Sequence, residues 1–598
     1  MSVQTGPGPA AEPPVPSTGP PPPPPPPASP YAKSEATRLL CAGVYLDPDY
    51  RRRVITELVE HDERSVPPSL GFDLITVLAH ALRARALELR TGAALAVIWL
   101  GFFLTDYWTL IRNPPSVSHW KAYGEGLTSG YYGDPYGRDS ASDTVWNALS
   151  PYLPPFTATF ALLYAVVCLL SWYAKPVEVR QHALYAPVAP ADSRASASGH
   201  PLGGFLAVIA GIARVLYWAL AFATLKDDAW EGTLFPLALA ATVGWHRLQI
   251  AQVLRKELIR ENFPRHPRRL PPRPRYVRLQ RAIAEEQYSQ LVVYDPADPF
   301  LGAGFPFKAW QFTLELKRRT TGPVVPEGAL TARVVLDLVV PRLAALRQTA
   351  ADTSLDRLRE LEIEHIVYLP YGPARGDVPR GPEDIARHIA EAVDEGGERR
   401  RHFLRVRVGA WDEQVVLTVQ LRVHTQGNLL MVEVVPHVLG PVRRDYELLA
   451  DAVAQQGTRP GRRPAMSAFT AGPAALRSLL RPGGGRAAGE TADDRDLPTV
   501  AARPLVSLRE AASTSAVSIF QELDVRRYLR SIEQRIIEGL RVALEQSGYE
   551  TDRFEQTVVQ VVQGGIHIGS MSGGAVATNG GTAQSGTPAP PPSDGKSS

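Results

Sequence analysis

The sequence predicts an all-α membrane part of four transmembrane helices, joined to a cytoplasmic α+β domain built around an antiparallel hairpin. Two observations predict this fold class. Four segments are apolar over about 17–23 residues, the length of a helix that crosses a bilayer core of about 30 Å. Farther along the chain, apolar and polar residues alternate as they do in half-buried strands. The four apolar segments are Gly92–Ile111, Phe156–Ala174, Gly203–Leu225 and Leu234–Ile250.

The composition of the remaining chain separates tails and linkers from folded parts. Residues 1–32 contain a run of eight prolines, Pro20–Pro27, and predict a disordered tail of polyproline II type. Residues 33–91 show apolar side chains at helical spacing, which predicts amphipathic cytoplasmic helices. Residues 451–514 and 570–598 are rich in Gly, Pro, Ala and polar residues, and predict a disordered linker and tail.

Basic residues beside the apolar segments predict the orientation, because Lys and Arg are retained on the cytoplasmic side. They are concentrated after the fourth segment, in the proline-rich linker 251–275, whereas the short loop Lys226–Thr233 is acidic. This pattern predicts a multi-pass plasma-membrane protein with both termini in the cytoplasm. The linker lacks the interleaved aromatic residues that stack on bases, so lipid is expected there and nucleic acid is not. The residues expected to contact the anionic inner leaflet are Arg255, Lys256, Arg260, Arg265, Arg268, Arg269, Arg273 and Arg275.

Two charged residues fall inside the predicted spans, Asp106 in the first and Arg214 in the third. A charge at the centre of a bilayer costs roughly 2.5–3.5 kcal/mol on insertion scales, so such residues are expected to have partners. An intramembrane ion pair that fixes helix packing is one interpretation. A gate or an ion pathway is the other.

Residues 276–450 have the pattern of an α+β domain. Alternation predicts strands in its first half and a pair of long strands in its second half, with a turn at Gln426–Asn428 between the last two. Two intervening segments are apolar at helical spacing, although Pro341 interrupts the first. The predicted strands are Leu291–Tyr294, Trp310–Leu316, Glu362–Leu369, Phe403–Val408, Val415–Val423 and Leu429–Val435, and the predicted helices are Val334–Ala345 and Glu383–Val393.

The C-terminal region, residues 515–569, predicts a helix followed by a strand. Apolar residues from Val525 to Leu544 form one helical stripe, with Asp524 as a candidate N-cap. Such a stripe could join two copies of the chain. The valine-rich segment Gln556–Ala577 predicts either a strand that pairs between subunits or an edge strand that packs on its own helix.

Candidate catalytic residues do not converge in the sequence. Gly302-Ala303-Gly304 lacks the Lys and the helix of a phosphate loop, and Asp295 and Asp298 flank Pro296 as they would in a turn. The two cysteines, Cys41 and Cys168, have no zinc-type spacing. No catalytic residue, metal or cofactor is therefore expected. The histidines of the α+β domain occur singly, as His365, His388, His402, His424 and His437.

Three patches resemble a group of uncharacterised multi-pass membrane proteins of actinobacteria. They are Leu291–Leu316 with its Pro299-Phe300-Leu301-Gly302 motif, the hairpin Glu413–Pro436, and Phe520–Gly569 with the motif Phe520-Gln521-x-Leu523-Asp524. The glycine-rich end Gly569–Gly574 also resembles the ends of some actinobacterial signalling and defence proteins. The resemblance implies a membrane location and a cytoplasmic domain, and it brings no catalytic residue.

These observations favour a non-enzymatic, membrane-anchored scaffold or signalling protein whose cytoplasmic domain binds an unknown protein partner. Its C-terminal helix is expected to support a homo-oligomer. One alternative is a transporter or channel that uses Asp106 and Arg214. Another is an enzyme of unrecognised type centred near Asp295–Gly304, which a pocket gathering those residues with His365 or His424 would favour.

Overall fold

The computed structural model describes a little under two thirds of the chain. Most of the predicted linker (residues 457–503), residues 1–28 of the proline-rich tail, and the chain after residue 559 lie outside the described part. The described residues are 29–112, 160–173, 201–223, 225, 230–319, 330–350, 356–370, 372, 375–397, 399–456 and 504–559.

The N-terminal helices form a buried layer. Helix α1 (Glu35–Leu46) begins at Ser34, whose hydroxyl accepts a hydrogen bond from the Thr37 amide at 3.2 Å. Helix α2 (Pro48–Ile55) is capped in the same way by Asp47. All twelve residues of α1 are buried, so these helices are an integral layer of the structure.

Helix α3 (Leu74–Arg112) is a single helix of 39 residues that unites the predicted amphipathic helix with the first predicted span. The Phe102 ring of α3 stacks on Phe235 with centroids 4.8 Å apart, and Thr91 is hydrogen-bonded to His246 at 2.9 Å. Both partners belong to the fourth apolar helix. The apolar helices after α3 are α4 (Phe160–Tyr173), α5 (Pro201–Ala223) and α6 (Glu231–Lys256), and α7 (Pro274–Glu286) follows.

The predicted four-helix transmembrane part is wrong. Among the described residues, one helix segment, Leu74–Thr109, is long and apolar enough to cross a membrane, judged by length and composition alone. The apolar stretches of α4 and α5 are shorter, at Phe160–Ser171 and Val208–Ala223. Helix α6 begins at Glu231 and ends with Arg255 and Lys256, so its apolar stretch is diluted by polar residues at both ends.

The second half of the chain forms a seven-stranded sheet in the order β1-β4-β5-β6-β7-β2, and β3 also pairs with β7. Strand β1 is parallel to β4, and the other neighbours are antiparallel. The sheet is therefore mixed, whereas the sequence predicted an antiparallel one. The strands are β1 (Leu291–Tyr294), β2 (Phe305–Pro306), β3 (Trp310–Glu315), β4 (Glu362–Pro370), β5 (Arg401–Ala410), β6 (Val415–Gln426) and β7 (Leu429–Leu439).

One face of the sheet carries the apolar core beneath α8 (Ala332–Thr349), α9 (Pro382–Ala392) and α12 (Ile519–Gln546). Alternation places Leu404 and Val406 of β5 on this face. Helices α8 and α12 approach closely at Gly539, where a Cβ would lie 2.9 Å from the Cα of Val339. The apolar stripe predicted in α12 is buried here, in the core of its own domain.

Buried polar side chains occupy the opposite face of the central strands. They belong to Arg405, Arg407, Thr418, Gln420 and His437, each at most 6% exposed. This face packs against the N-terminal layer, loop 295–304 and the segment 504–512, which contains the short helix α11 (Leu508–Ala511). Helix α10 (Arg444–Gln456) packs on α1 of the N-terminal layer, where the Tyr446 ring lies against Gly43.

The C-terminal elements differ from the prediction in two places. Helix α12 begins at Ser518, which forms a capping box with Gln521, rather than at Asp524. The first three residues of the predicted strand Gln556–Ala577 belong instead to the short helix α13 (Asp552–Val558). The rest of that predicted strand, from residue 560, lies outside the described part of the chain.

Candidate functional site: an aromatic cleft on the polar face of the sheet

A cleft of about 630 Å³ opens where β1 and β4 end. This volume is in the range of small-molecule and peptide-anchor sites. Its floor and walls come from loop 295–304, from the end of β4, and from β5 and β7. The lining residues are Tyr294, Pro296, Pro299, Phe300, Tyr368, Pro370, Arg399, Arg401, Phe403, Glu433 and Val435.

Four aromatic rings form most of the cleft wall in edge-to-face contacts. The Phe300 ring lies 5.5 Å from both Tyr368 and Phe403, at interplanar angles of 82° and 85°. Tyr294 contacts Tyr368 in the same manner at 6.3 Å. Because aromatic pairs in this geometry are mutually stabilising, the rings present a rigid surface.

Polar groups support the aromatic floor from beneath. The Gln420 amide donates a hydrogen bond to the Tyr368 hydroxyl at 3.0 Å, and the His437 ring lies 4.9 Å from Phe300. Within the described residues, Gln420 Oε1 and Thr418 Oγ1 are buried without a hydrogen-bond partner. A buried polar atom without a partner is destabilising, so these two atoms are retained at a cost in stability.

Loop 295–304, the wall that carries Phe300, is held from behind by Glu510. The Glu510 carboxylate accepts hydrogen bonds from the amides of Gly302 at 2.9 Å and Gly304 at 2.7 Å. Both glycines have left-handed backbones, with φ of 99° and 93°. The sequence therefore places glycines where the loop must turn, and Glu510 occupies the pair of amides that the turn exposes.

The charged side chains at the cleft rim are mainly hydrogen-bond donors. Arg399 and Arg401 stand on one side, and Glu433 on the other is paired with Arg422 at 3.7 Å. Burial raises the pKa of the Tyr368 hydroxyl to about 12, so it stays protonated at neutral pH.

His437 makes the cleft sensitive to acid. Burial lowers its pKa from 6.5 to about 4, because the protonated ring would lose its hydration beneath Phe300. The unfolded chain then binds a proton that the folded chain does not, so stability falls as the pH drops below 6.5. Between pH 7 and pH 5, the free energy of unfolding should fall by about 2 kcal/mol less in His437→Gln than in the unchanged protein. Chemical denaturation of both proteins at several pH values measures this, and equal pH slopes would refute it.

The predicted single histidines have separate fates. His365 and His402 come together, with ring nitrogens 3.0 Å apart, on the helix-covered face and away from the cleft. Burial lowers the pKa of His402 to about 3, so this pair is not charged at neutral pH. His388 contacts Arg400, and His424 lies beside Gly396. Neither His365 nor His424 lines the cleft, so the structure does not gather the residues of an enzyme centred on Asp295–Gly304.

Asp106 and Arg214 are not in contact in the described structure. Asp106 accepts a hydrogen bond from the Ala161 amide at 2.6 Å and so caps the start of α4. Arg214 donates from Nε to the Ala210 carbonyl, one turn back in its own helix. This geometry gives the alternative of an ion pathway no support.

The predicted basic cluster is partly used for internal ion pairs. Arg268 pairs with Glu257 at 2.7 Å, Arg275 with Asp62 at 3.6 Å, and Arg260 with Asp412. The Arg255 guanidinium contacts the Ala251 carbonyl at 3.4 Å. The remaining members are exposed and remain available to a lipid surface. They are Lys256, Arg265, Arg269 and Arg273.

The fold and the cleft together define an α+β domain with an aromatic cleft, joined to a helical layer in which, among the described residues, one helix is long and apolar enough to cross a membrane. Residues 309–575 carry an AbeC-like domain, by their match to the model of that family. No curated protein and no solved structure matches the chain. The matched residues begin just before β3. The Phe300 wall and β1 therefore precede the domain and complete its sheet and its cleft.

Sequence reasoning missed the cleft because its residues are spread from position 294 to position 435. One pattern pointed toward it. Loop 295–304 combines two prolines and two glycines with Phe300, a composition typical of a loop with a fixed shape that presents an aromatic ring. Polar residues at the inward positions of β5 and β6, such as Arg405 and Gln420, were a second indication that this face is not an ordinary core.

Proposed function

We propose that this chain is a membrane-attached, non-enzymatic protein whose α+β domain binds a partner in the aromatic cleft. The observation that carries the proposal is the cleft itself: four packed aromatic rings with arginines at the rim. Among the described residues, no three His, Cys, Asp or Glu side chains gather as metal ligands. The actinobacterial relationship and the cytoplasmic placement of the α+β domain belong to the same proposal.

Membrane attachment is supported by the surface of α3. Its C-terminal half exposes large apolar side chains, with Val97 at 69%, Leu100 at 60% and Leu104 at 58%. Only 28% of the most apolar stretch within Leu74–Thr109 is buried, so this helix is not enclosed in a protein core. An exposed apolar surface of this kind is typical of a contact with lipid or with another protein.

We expect the purified full-length chain to float with phosphatidylcholine–phosphatidylglycerol vesicles through α3. Leu100→Lys with Leu104→Lys should abolish flotation, because each lysine costs roughly 2.5–3.5 kcal/mol in the bilayer core. The matched control is Ile519→Lys with Leu523→Lys, two exposed residues at the same spacing on α12. Flotation that survives the α3 changes, or is lost equally in the control, would refute attachment through α3.

The binding part of the proposal is tested by a photo-crosslinker in the cleft. Replacing Tyr294 with p-azidophenylalanine retains an aromatic ring at the cleft wall. Irradiation of the full-length chain in its own cells should give a covalent adduct at this position. The same chain with Val435→Arg, which fills the cleft floor, should give none. A chain that forms no adduct at position 294 would refute the binding function.

A further inference from the structure

We infer that the cleft takes a proline-rich segment, and that its occupant is the chain's own Pro20–Pro27 run. This inference rests on the proposed function, in which the cleft is a binding site. It assigns the chemical class of the ligand as an extended peptide rich in proline.

The chemistry of the cleft matches a ligand that accepts hydrogen bonds and donates none. A run of prolines has carbonyl oxygens but no backbone N–H groups. The exposed Arg399 guanidinium at the rim is a donor only. The single carboxylate among the lining residues, Glu433, is already paired with Arg422. The Arg399 guanidinium can therefore donate to the carbonyl oxygens of a proline run.

The rings of the cleft provide the apolar part of the recognition. Proline-rich peptides bind in grooves lined by aromatic side chains, against which the pyrrolidine rings pack. Here Tyr294, Phe300, Tyr368 and Phe403 form such a wall, and their mutual edge-to-face contacts fix its shape before a ligand arrives. A preformed site and a stiff ligand both reduce the entropy lost on binding.

The place where the described chain begins puts the proline run within reach. The Ser29 hydroxyl is hydrogen-bonded to that of Tyr288 at 2.5 Å. Tyr288 precedes Tyr294 by six residues, which span at most about 20 Å. From Pro20 to Ser29, an extended proline-rich chain covers about 28 Å at 3.1 Å per residue. The run is therefore long enough to enter the cleft from its anchor at Ser29.

Because the proline run is linked covalently to the domain, even a weak affinity is sufficient to keep it in the cleft. A segment linked through a short connection experiences an effective concentration in the millimolar range. Even a Kd of about 100 μM would then keep the cleft occupied about nine tenths of the time. A free partner would have to compete with that local concentration.

The first experiment uses the full-length chain in which each of Pro20–Pro27 is replaced by serine, so that the cleft is vacated without shortening the tail. A fluorescent peptide of residues 14–28 is titrated into this variant and into the unchanged protein, both in detergent micelles. We expect the variant to bind the peptide at least about tenfold more tightly, because the unchanged protein supplies its own competitor.

Two controls make the titration specific. A peptide with alanine at positions 20–27 should not bind. Val435→Arg, added to the serine variant, should abolish binding, whereas Val277→Arg, at an exposed position on α7, should not. Equal affinity of the variant and the unchanged protein, or no measurable binding to either, would overturn the inference.

Mapping the adduct formed at position 294 separates this inference from the proposed function. An adduct on residues 13–28 that migrates as a monomer supports it. An adduct on a different protein leaves the proposed function intact and overturns the inference. An adduct that migrates as a dimer overturns the intramolecular assignment. Absence of any adduct overturns both.

Discussion

Arg407→Met is expected to destabilise the protein by about 3–5 kcal/mol, the cost of breaking a buried ion pair from one side. Arg407 is 3% exposed and contacts the Glu362 carboxylate at 2.8 Å and that of Glu413. The Tyr31 ring packs on its guanidinium with 4.7 Å between the ring centroid and Cζ. Methionine retains the apolar stem but leaves the Glu413 carboxylate, 18% exposed, without its ion-pair partner in a poorly hydrated place, whereas Glu362 is 38% exposed and stays hydrated.

Chemical denaturation of the full-length chain measures this effect. The matched control is Arg541→Met, which removes an exposed pair with Glu545 and should cost at most about 0.5 kcal/mol. Adding Glu362→Gln and Glu413→Gln to Arg407→Met should recover part of the loss, because no unpaired charge then remains. A loss as small as that of the control would show that the cluster is hydrated and contributes little.

Gly304→Ala is expected to cost roughly 2–5 kcal/mol and to abolish peptide binding in the cleft. Its φ of 93° lies in the left-handed region, where a Cβ costs roughly 1–2 kcal/mol. The added Cβ would also lie 2.6 Å from the Cα of Leu439 in β7, and this backbone collision adds roughly 1–3 kcal/mol. The loop would move away from β7, and the hydrogen bond from the Gly304 amide to Glu510 would lengthen.

A second glycine isolates the collision from the backbone strain. Gly427 also has a left-handed φ, 59°, but a Cβ added there would have no other atom within 4 Å. Gly427→Ala should therefore cost only about 1–2 kcal/mol and leave the cleft unchanged. Comparison of the two denaturation midpoints, with peptide binding as the second readout, checks the expectation. Equal losses would mean that the loop accommodates the methyl group.

The strands were predictable because one face of each is apolar. Alternation placed Trp310–Leu316 and Leu429–Val435 close to the observed β3 and β7, and the turn at Gln426–Asn428 was right. Helix α8 runs through Pro341 without a break, since tertiary packing of Val339 and Leu343 outweighs the lost hydrogen bond. The periodicity of apolar residues was therefore sufficient to predict a strand or helix that packs one apolar face against the adjacent layer of the domain.

The prediction failed where the environment of a segment depends on distant residues. Apolar runs such as Phe160–Ser171 indicated membrane spans, but a run of this length is also typical of a helix packed within a layer. The polar face of the sheet and the cleft were missed for the same reason. Arg407 and Gln420 have the character of surface residues until the N-terminal layer and the segment 504–512 cover them.

Strand β1 lies outside residues 309–575, yet it supplies the parallel neighbour of β4. A fragment cut at the family boundary would leave β4 as a bare margin, with unsatisfied amides and carbonyls along Val367–Pro370. In this chain the segment upstream of the matched residues therefore completes the sheet. The sheet thus extends beyond the residues that match the family. A fragment or chimera meant to retain the whole sheet should therefore begin upstream of Leu291.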